Sequence, residues 1–222
     1  MIAQARLLSR CDRLLVLADQ ALRTLAGTTE GTGRASPASS VPEWAEEPVQ
    51  LSDAQRRHVA GLMRINHSGE IMAQALYCGQ MSTLELDAPL YGHLQQAASE
   101  EADHLHWCAE RITALGSSTS RLNLVWYVGA FTLGAVAGSM GERYSLGFIA
   151  EVEGLVTQHL AGHLEQLPTG DWQTRKVLAQ MQEDENQHRK QALQHGGVPL
   201  PMWAHSGMHV ASKIMTSLAY KI

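Results

Sequence analysis

Two copies of one short pattern, Glu-x-x-His, stand inside otherwise apolar helical stripes, and they restrict the fold more than any other feature of the chain. Glu101 and His104 form the first pair, and Glu185 and His188 the second. Around the first, Leu94, Ala97, Ala98, Leu105, Cys108, Ile112 and Leu115 recur with helical spacing on the same face; around the second, Leu178, Met181 and Ala192 do so. Two further stripes carry a single carboxylate each. Glu70 lies among Val59, Met63, Asn66, Ala73 and Tyr77, and Glu153 among Leu146, Ile149, Val156, Leu160, His163 and Leu167. Four helices therefore each direct at least one carboxylate toward the interior.

An ionised carboxylate costs several kcal/mol to bury unless something compensates it. Four together repel one another, and no Arg or Lys accompanies them on these stripes. A multivalent cation replaces the lost hydration and cancels the repulsion together. Positions i and i+3 lie about 60° apart around a helix, so both side chains of each pair can reach one metal. A Glu from each of two helices plus a Glu-x-x-His from each of two others is the donor set of ferritin-like di-metal carboxylate bundles. The intervals repeat as well: Glu70 to Glu101 is 31 residues and Glu153 to Glu185 is 32. A duplicated helix pair about a pseudo-two-fold axis follows. Carboxylate-rich ligation with two imidazoles suits iron or manganese, with iron the expected metal, and the absence of thiolate ligands disfavours structural zinc. Glu101 and Glu185 are the expected bridges between two iron ions, with Glu70 and His104 completing one and Glu153 and His188 the other. Each histidine should donate its second ring N–H to an outer acceptor, for which Asp103, Asp184 and polar positions on the first and third bundle helices are all candidates. Glu151, two residues before Glu153, belongs to another face of its helix.

The whole pattern is all-α: a ferritin-like four-helix bundle with a long crossover segment and extra helices at each end. Helical patterns run over roughly 53–82, 89–115, 143–167 and 172–195, with a last amphipathic helix at about 205–220. Ser52 is a suitable N-cap for the first. An N-terminal amphipathic helix within 1–26 (Leu7, Leu8, Leu14, Leu15, Leu22, Leu25) and a Gly/Ser/Pro-rich linker at 27–50 precede the main domain at 51–222. Net charge is −5 and the pI about 6.1, which excludes the basic footprint of a nucleic-acid binder. Three cysteines without a C-x-x-C suit a reducing compartment, and the N-terminus lacks the pattern of a secretory signal. Between Arg121 and Glu142 lie 20 uncharged residues, including a Gly134-x-x-x-Gly138 pattern of the kind found where membrane helices pack. That stretch is long enough to span a bilayer and could also be an ordinary core helix; contact with a membrane surface is the preferred reading, with apolar residues around Trp126, Tyr127, Phe131 and Leu133, together with the C-terminal helix, as the expected docking face.

Asn66-His67-Ser68-Gly69-Glu70, followed by Ala73-Gln74-Ala75-Leu76-Tyr77 and Gly79-Gln80, resembles the first-helix signature of the demethoxyubiquinone hydroxylases of ubiquinone biosynthesis. Glu101-Ala102-Asp103-His104, Glu151-Val152-Glu153 and Glu185-Asn186-Gln187-His188 are similar to that family's later motifs, in the same order. The resemblance covers about residue 50 to the C-terminus. It implies a di-iron monooxygenase that hydroxylates a polyprenylated methoxy-methyl-benzoquinol, using O2 and a two-electron reductant as co-substrates. It also implies a peripheral protein on the cytoplasmic side of the cell membrane, with the lipid surface and other ubiquinone-biosynthesis proteins as partners. There is no Rossmann glycine fingerprint: Gly31-Thr32-Gly33 lacks strand context, so NADH at the surface, a reductase or the quinol itself all stay open as electron sources. Residues 1–50 go beyond the minimal family core. Leu160 stands where some relatives carry an aromatic residue after His159. The competing reading of the same bundle is iron storage or detoxification.

Overall fold

Ser52 opens the first long helix of the bundle by a reciprocal cap. Its hydroxyl accepts the Gln55 backbone N–H at 3.3 Å, while the Gln55 side chain accepts the Ser52 N–H at 2.9 Å. The computed structural model describes residues 10–40, 50–86 and 88–222. Among them are seven α-helices and no strand: α1 (Arg10–Ala26), α2 (Asp53–Met81), α3 (Pro89–Ala114), α4 (Asn123–Ser139), α5 (Glu142–Gln166), α6 (Trp172–Gln194) and α7 (Met202–Ala219). The expected helix within 1–26 is seen from Arg10 onward; its first residues, with Leu7 and Leu8, lie outside the described part, as do residues 41–49 of the expected linker. The last helix begins at Met202, a few residues earlier than its apolar pattern indicates, because Pro201 suits the position just before a first turn.

Helices α2, α3, α5 and α6 form the bundle, and each threads the same three layers. α2 passes from Val59 and Met63 in one apolar cluster, through Glu70, to Ala73 and Tyr77 in a second. α6 runs the same way, from Leu178 and Met181 through Glu185 to Ala192, while α3 and α5 run in reverse. The carboxylates thus occupy a polar layer between two apolar plugs. Since α3 and α5 point the same way, a crossover must return the chain between them, and α4 supplies it along the outside of α2. Arg111 near the end of α3 ties that helix to the start of α6, donating to Thr174 Oγ1 at 2.7 Å and to the N-capping Asp171 at 2.8 Å.

The small residues of α4 serve this crossover. A Cβ on Gly134 would overlap the Leu76 carbonyl, so the two backbones touch there. Tyr127, Ala130, Gly134 and Ala137 are the buried face. This corrects the expected docking face: Tyr127 is buried and Trp126 and Phe131 pack against interior clusters. Of the four residues named from sequence only Leu133 is exposed, together with Leu124, Val125, Val128 and Val136. Close helix approach selects the small residues for the inner face, which leaves the branched aliphatics outside. No helix among the described residues is long and apolar enough to cross a membrane.

Residues 27–40 are not a free tether. They run over α3 and α6 with a short 3-10 turn at Pro37–Ser39, whose Ser36 side chain caps Ala38. Cys78 and Cys108 are free and buried.

Candidate metal centre

Glu70, Glu101, His104, Glu153, Glu185 and His188 are all buried and converge in the polar layer. They form two overlapping groups whose donor atoms lie within 4.8 Å of one another: Glu70, Glu101, His104 and Glu185 in one, and Glu101, Glu153, Glu185 and His188 in the other. Glu101 and Glu185 belong to both, and their oxygens are divided between the two sides. Glu101 Oε2 lies 3.0 Å from His104 Nδ1, and Glu101 Oε1 lies 2.9 Å from His188 Nδ1. Glu185 Oε1 is 3.4 Å from His104 Nδ1, and Glu185 Oε2 is 3.9 Å from His188 Nδ1. Glu70 Oε2 lies 3.9 Å from His104 Nδ1. Both imidazoles therefore present Nδ1 inward. The helical i, i+3 spacing produces this convergence, since each pair shares one inner face.

Three of these inward atoms are buried without a hydrogen-bond partner: Glu101 Oε1, Glu185 Oε2 and His188 Nδ1. Glu101 Oε1 and His188 Nδ1 are in contact, yet not aligned for a hydrogen bond. Buried, unpaired oxygen and imidazole donors gathered within 4.8 Å of one another in each group fit a pair of first-row cations.

The protons follow the same geometry. Burial, and then the facing Glu101 and Glu185 carboxylates, push Glu70 well above the usual range; burial and Glu185 do the same to Glu153. Burial acts upward on Glu101 too, but His104 and His188 outweigh it and hold Glu101 well below the usual range. Glu185 is lowered likewise, against burial and Glu101, by the two facing histidines. Burial would lower the two imidazoles, yet Glu101 and its neighbours hold His104 well above its ordinary value and His188 at about 12.

The outer nitrogens are paired crosswise. His104 Nε2 on α3 donates to Asp184 on α6 at 2.9 Å, and His188 Nε2 on α6 donates to Glu100 on α3 at 2.7 Å. Of the sequence candidates, Asp184 takes this place, while Asp103 and the polar positions of the first and third bundle helices do not; Glu100 is not among them. Both acceptors immediately precede the glutamate of a Glu-x-x-His, a signal the sequence does carry. Glu151 points away from the centre, to His205 on α7. His159 stays outside as well, 3.3 Å from the Ser212 hydroxyl and stacked on His163, which in turn meets Asn66 Oδ1 at 2.9 Å. Tyr77 donates to Glu153 Oε1 at 2.7 Å.

A cavity of about 190 Å3 opens between α3, α5 and α6. Leu90, Leu94, Leu146 and Ile149 give it apolar walls, and Tyr77, Glu100 and His188 connect it to the centre.

The sequence profile of the ubiquinone biosynthesis protein COQ7 family matches residues 57–219. The chain belongs to that family. The 3-demethoxyubiquinol 3-hydroxylase of Cupriavidus necator is 49% identical over 211 residues, spanning 95% of this chain and 100% of its own. The Pseudomonas syringae pv. syringae protein of the same name is 48% identical over 221 residues, with 100% of both chains covered. That of Acinetobacter baylyi is 49% identical over 211 residues, covering 95% of this chain and 97% of its own. The COQ7-family chain described here is an enzyme of the hydroxylase class with a role in ubiquinone biosynthesis.

Proposed function

We propose that residues 51–222 are a di-iron monooxygenase domain that hydroxylates the ring of a polyprenylated methoxy-methyl-benzoquinol, the demethoxyubiquinol named in its relatives. The observation that carries the reading is the division of the Glu101 and Glu185 oxygens between two inward-facing imidazoles. Glu101 and Glu185 would bridge, Glu70 and His104 would hold one ion, and Glu153 and His188 the other. When bound, such an iron pair supplies the two-electron chemistry that activates O2. The net reaction is one ring C–H, O2, two electrons and two protons giving C–OH and water.

The chain's own groups prepare that reaction. Asp184 and Glu100 keep the imidazole Nε2–H bonds occupied, so each Nδ1 lone pair faces inward. Tyr77 fixes Glu153 at the inner end of the cavity. The apolar walls at Leu90, Leu94, Leu146 and Ile149 suit a substituted aromatic ring and exclude water from it.

The same reading places the protein peripherally on the cytoplasmic side of the membrane, because the substrate tail is lipid. Exposed Leu124, Val125, Val128, Leu133 and Val136 of α4, and Met202, Trp203, Val210, Ile214 and Leu218 of α7, are the faces available for it. Trp126 of α4 packs with Met215 and Ala219 of α7 over Ile65, which joins the two helices on one side of α2.

A single-turnover experiment tests the assignment. Protein loaded with two irons, reduced anaerobically and given a short-tailed demethoxyquinol and labelled O2, should place one labelled oxygen on the ring. A fully iron-loaded protein that yields no hydroxylated product would refute it.

A further inference from the structure

Residues 27–40 give no donor to the centre and precede the family match, which begins at residue 57. Their contacts nevertheless concentrate on one side of it. Asp103 of α3 is buried, and three consecutive residues of this segment converge on its carboxylate. The Thr32 hydroxyl donates to Oδ2, the Gly33 N–H to Oδ1 at 3.2 Å, and Arg34 Nε to Oδ2 at 3.2 Å. Gly31 passes so close that a Cβ there would overlap Asp103 Oδ1. Arg34 then reaches α6, where its Nη1 donates to Asp184 Oδ2 at 2.8 Å. Its guanidinium lies over Trp107, 4.9 Å from the ring centre, and Trp107 Nε1 donates back to the Arg34 carbonyl at 3.2 Å. The Trp107 ring is 5.3 Å from that of His104. Lys176 of α6 holds the far end of the segment through the Ser40 carbonyl at 2.8 Å.

The consequence falls on one histidine. The oxygen that Arg34 holds, Asp184 Oδ2, is the one that receives His104 Nε2. Guanidinium, carboxylate and imidazole form a chain that ends at the inward Nδ1. His188 is supported differently. Its acceptor, Glu100, has a side chain 31% exposed and receives the neutral Gln96 amide at 2.7 Å in place of a guanidinium. The pseudo-two-fold relation between the helix pairs is therefore broken by a segment outside the bundle.

We propose that residues 31–34 are a strap across α3 and α6, and that Arg34 is a positioning residue which fixes His104 through Asp184 and so makes the two metal positions unequal. This rests on the two-metal reading above. The Glu70/His104 position is braced by the strap, and the Glu153/His188 position is not. Arg34 suits the task because its planar fork bonds two carboxylates on different helices while its face stacks on an indole, which a lysine ammonium cannot reproduce.

Anaerobic iron(II) titration of the full chain, with Mössbauer spectra at one and two equivalents of 57Fe, tests the proposal on unmodified protein, Arg34→Ala and Arg34→Lys. The unmodified protein should bind two irons in two distinguishable environments. Arg34→Ala should weaken one of the two equivalents about 10–100-fold and alter one spectral component, leaving the other in place. Arg34→Lys should show the same selective loss to a smaller degree, and it carries the test alone if the alanine variant fails to fold. Unchanged binding, equal weakening of both equivalents, or full recovery in Arg34→Lys would overturn the proposal. Unmodified protein that takes up no iron pair would sink the di-iron reading instead, a result distinct from any of these.

Discussion

Asp184 on α6 accepts a hydrogen bond from His104 Nε2 on α3 at 2.9 Å, and the duplicated helix pair returns it as His188 to Glu100 at 2.7 Å. Each imidazole is thus oriented by the helix that carries the other. An outer carboxylate fixes the tautomer and raises the basicity of the ligating nitrogen. Asp184→Asn keeps an acceptor oxygen but removes the charge, and it places an amide against Arg34. Its affinity for iron(II), measured by competition with a chromogenic chelator, should fall about 10–100-fold. Glu100→Gln should fall less, because that carboxylate is partly exposed and its charge is screened by solvent.

In the metal-free protein the cluster balances its charge with protons, favouring protonated Glu70 and Glu153 and charged His104 and His188. These four groups bind protons more tightly folded than unfolded. For the histidines, the stability this gives is complete below their ordinary value near 6.5 and is lost as pH rises, through about 12 for His188. Metal binding displaces the same protons, so it strengthens as pH rises. Between pH 6.5 and 9 the melting temperature of chelated protein should fall by about 3–5 °C per pH unit for each proton that only the folded cluster retains, from about 1.4 kcal/mol per unit. The increment given by iron(II) or manganese(II) should grow over the same range. Thermal scans at several pH values, with and without metal, check both slopes; parallel slopes would argue against proton displacement.

The layer of carboxylates was legible in the sequence because an anion on an apolar stripe has few compensations, and Glu70, Glu101, Glu153 and Glu185 have no cation on their own stripes. The strap was not. Gly31, Thr32 and Gly33 carry no periodicity, and their contacts are polar bonds to Asp103, about 70 positions away, so composition alone reads them as a linker. The outer acceptors were half legible. Asp103 and Asp184 are both candidates in the sequence, and only the helix packing shows that the residue before each Glu-x-x-His faces the opposite histidine. The docking face expected on α4 differs from the observed one because apolar bulk does not mark orientation, whereas glycine and alanine mark the closest backbone approach.

Tyr77 is buried at the inner end of the cavity, and its hydroxyl donates to Glu153 Oε1. Tyr77→Phe leaves the ring packing intact and removes one buried donor. Denaturant unfolding of the metal-free variant should show a loss of about 1–2 kcal/mol. Iron binding should persist at two equivalents, since no donor is removed.

Gly134 and Gly129 separate packing from propensity within one helix. A side chain at Gly134 meets the Leu76 carbonyl, whereas one at Gly129 meets nothing within 4 Å. Gly134→Val should force α4 off α2 and cost about 1–3 kcal/mol or more. Gly129→Ala should be neutral or stabilising by about 0.5–1 kcal/mol, because alanine is the better helix former at an open site. Urea midpoints of the two variants against the unmodified protein decide the matter.

The same packing decides which residues are free for a lipid surface. With the small residues turned inward, Val128 and Val136 of α4 and Trp203 and Ile214 of α7 stay exposed, and none of them supports the bundle core. A charge placed there loses contact with an apolar phase without disturbing the fold, so binding and stability should separate. Val128→Glu with Ile214→Glu should reduce co-sedimentation with anionic phospholipid vesicles at least tenfold, while circular dichroism and iron content stay as in the unmodified protein. Turnover of a short-tailed, water-dispersed quinol should be retained and turnover of a long-tailed quinol in vesicles lost. Equal loss on both substrates would show that these side chains serve the centre itself, and undiminished vesicle binding would remove α4 and α7 as the membrane face.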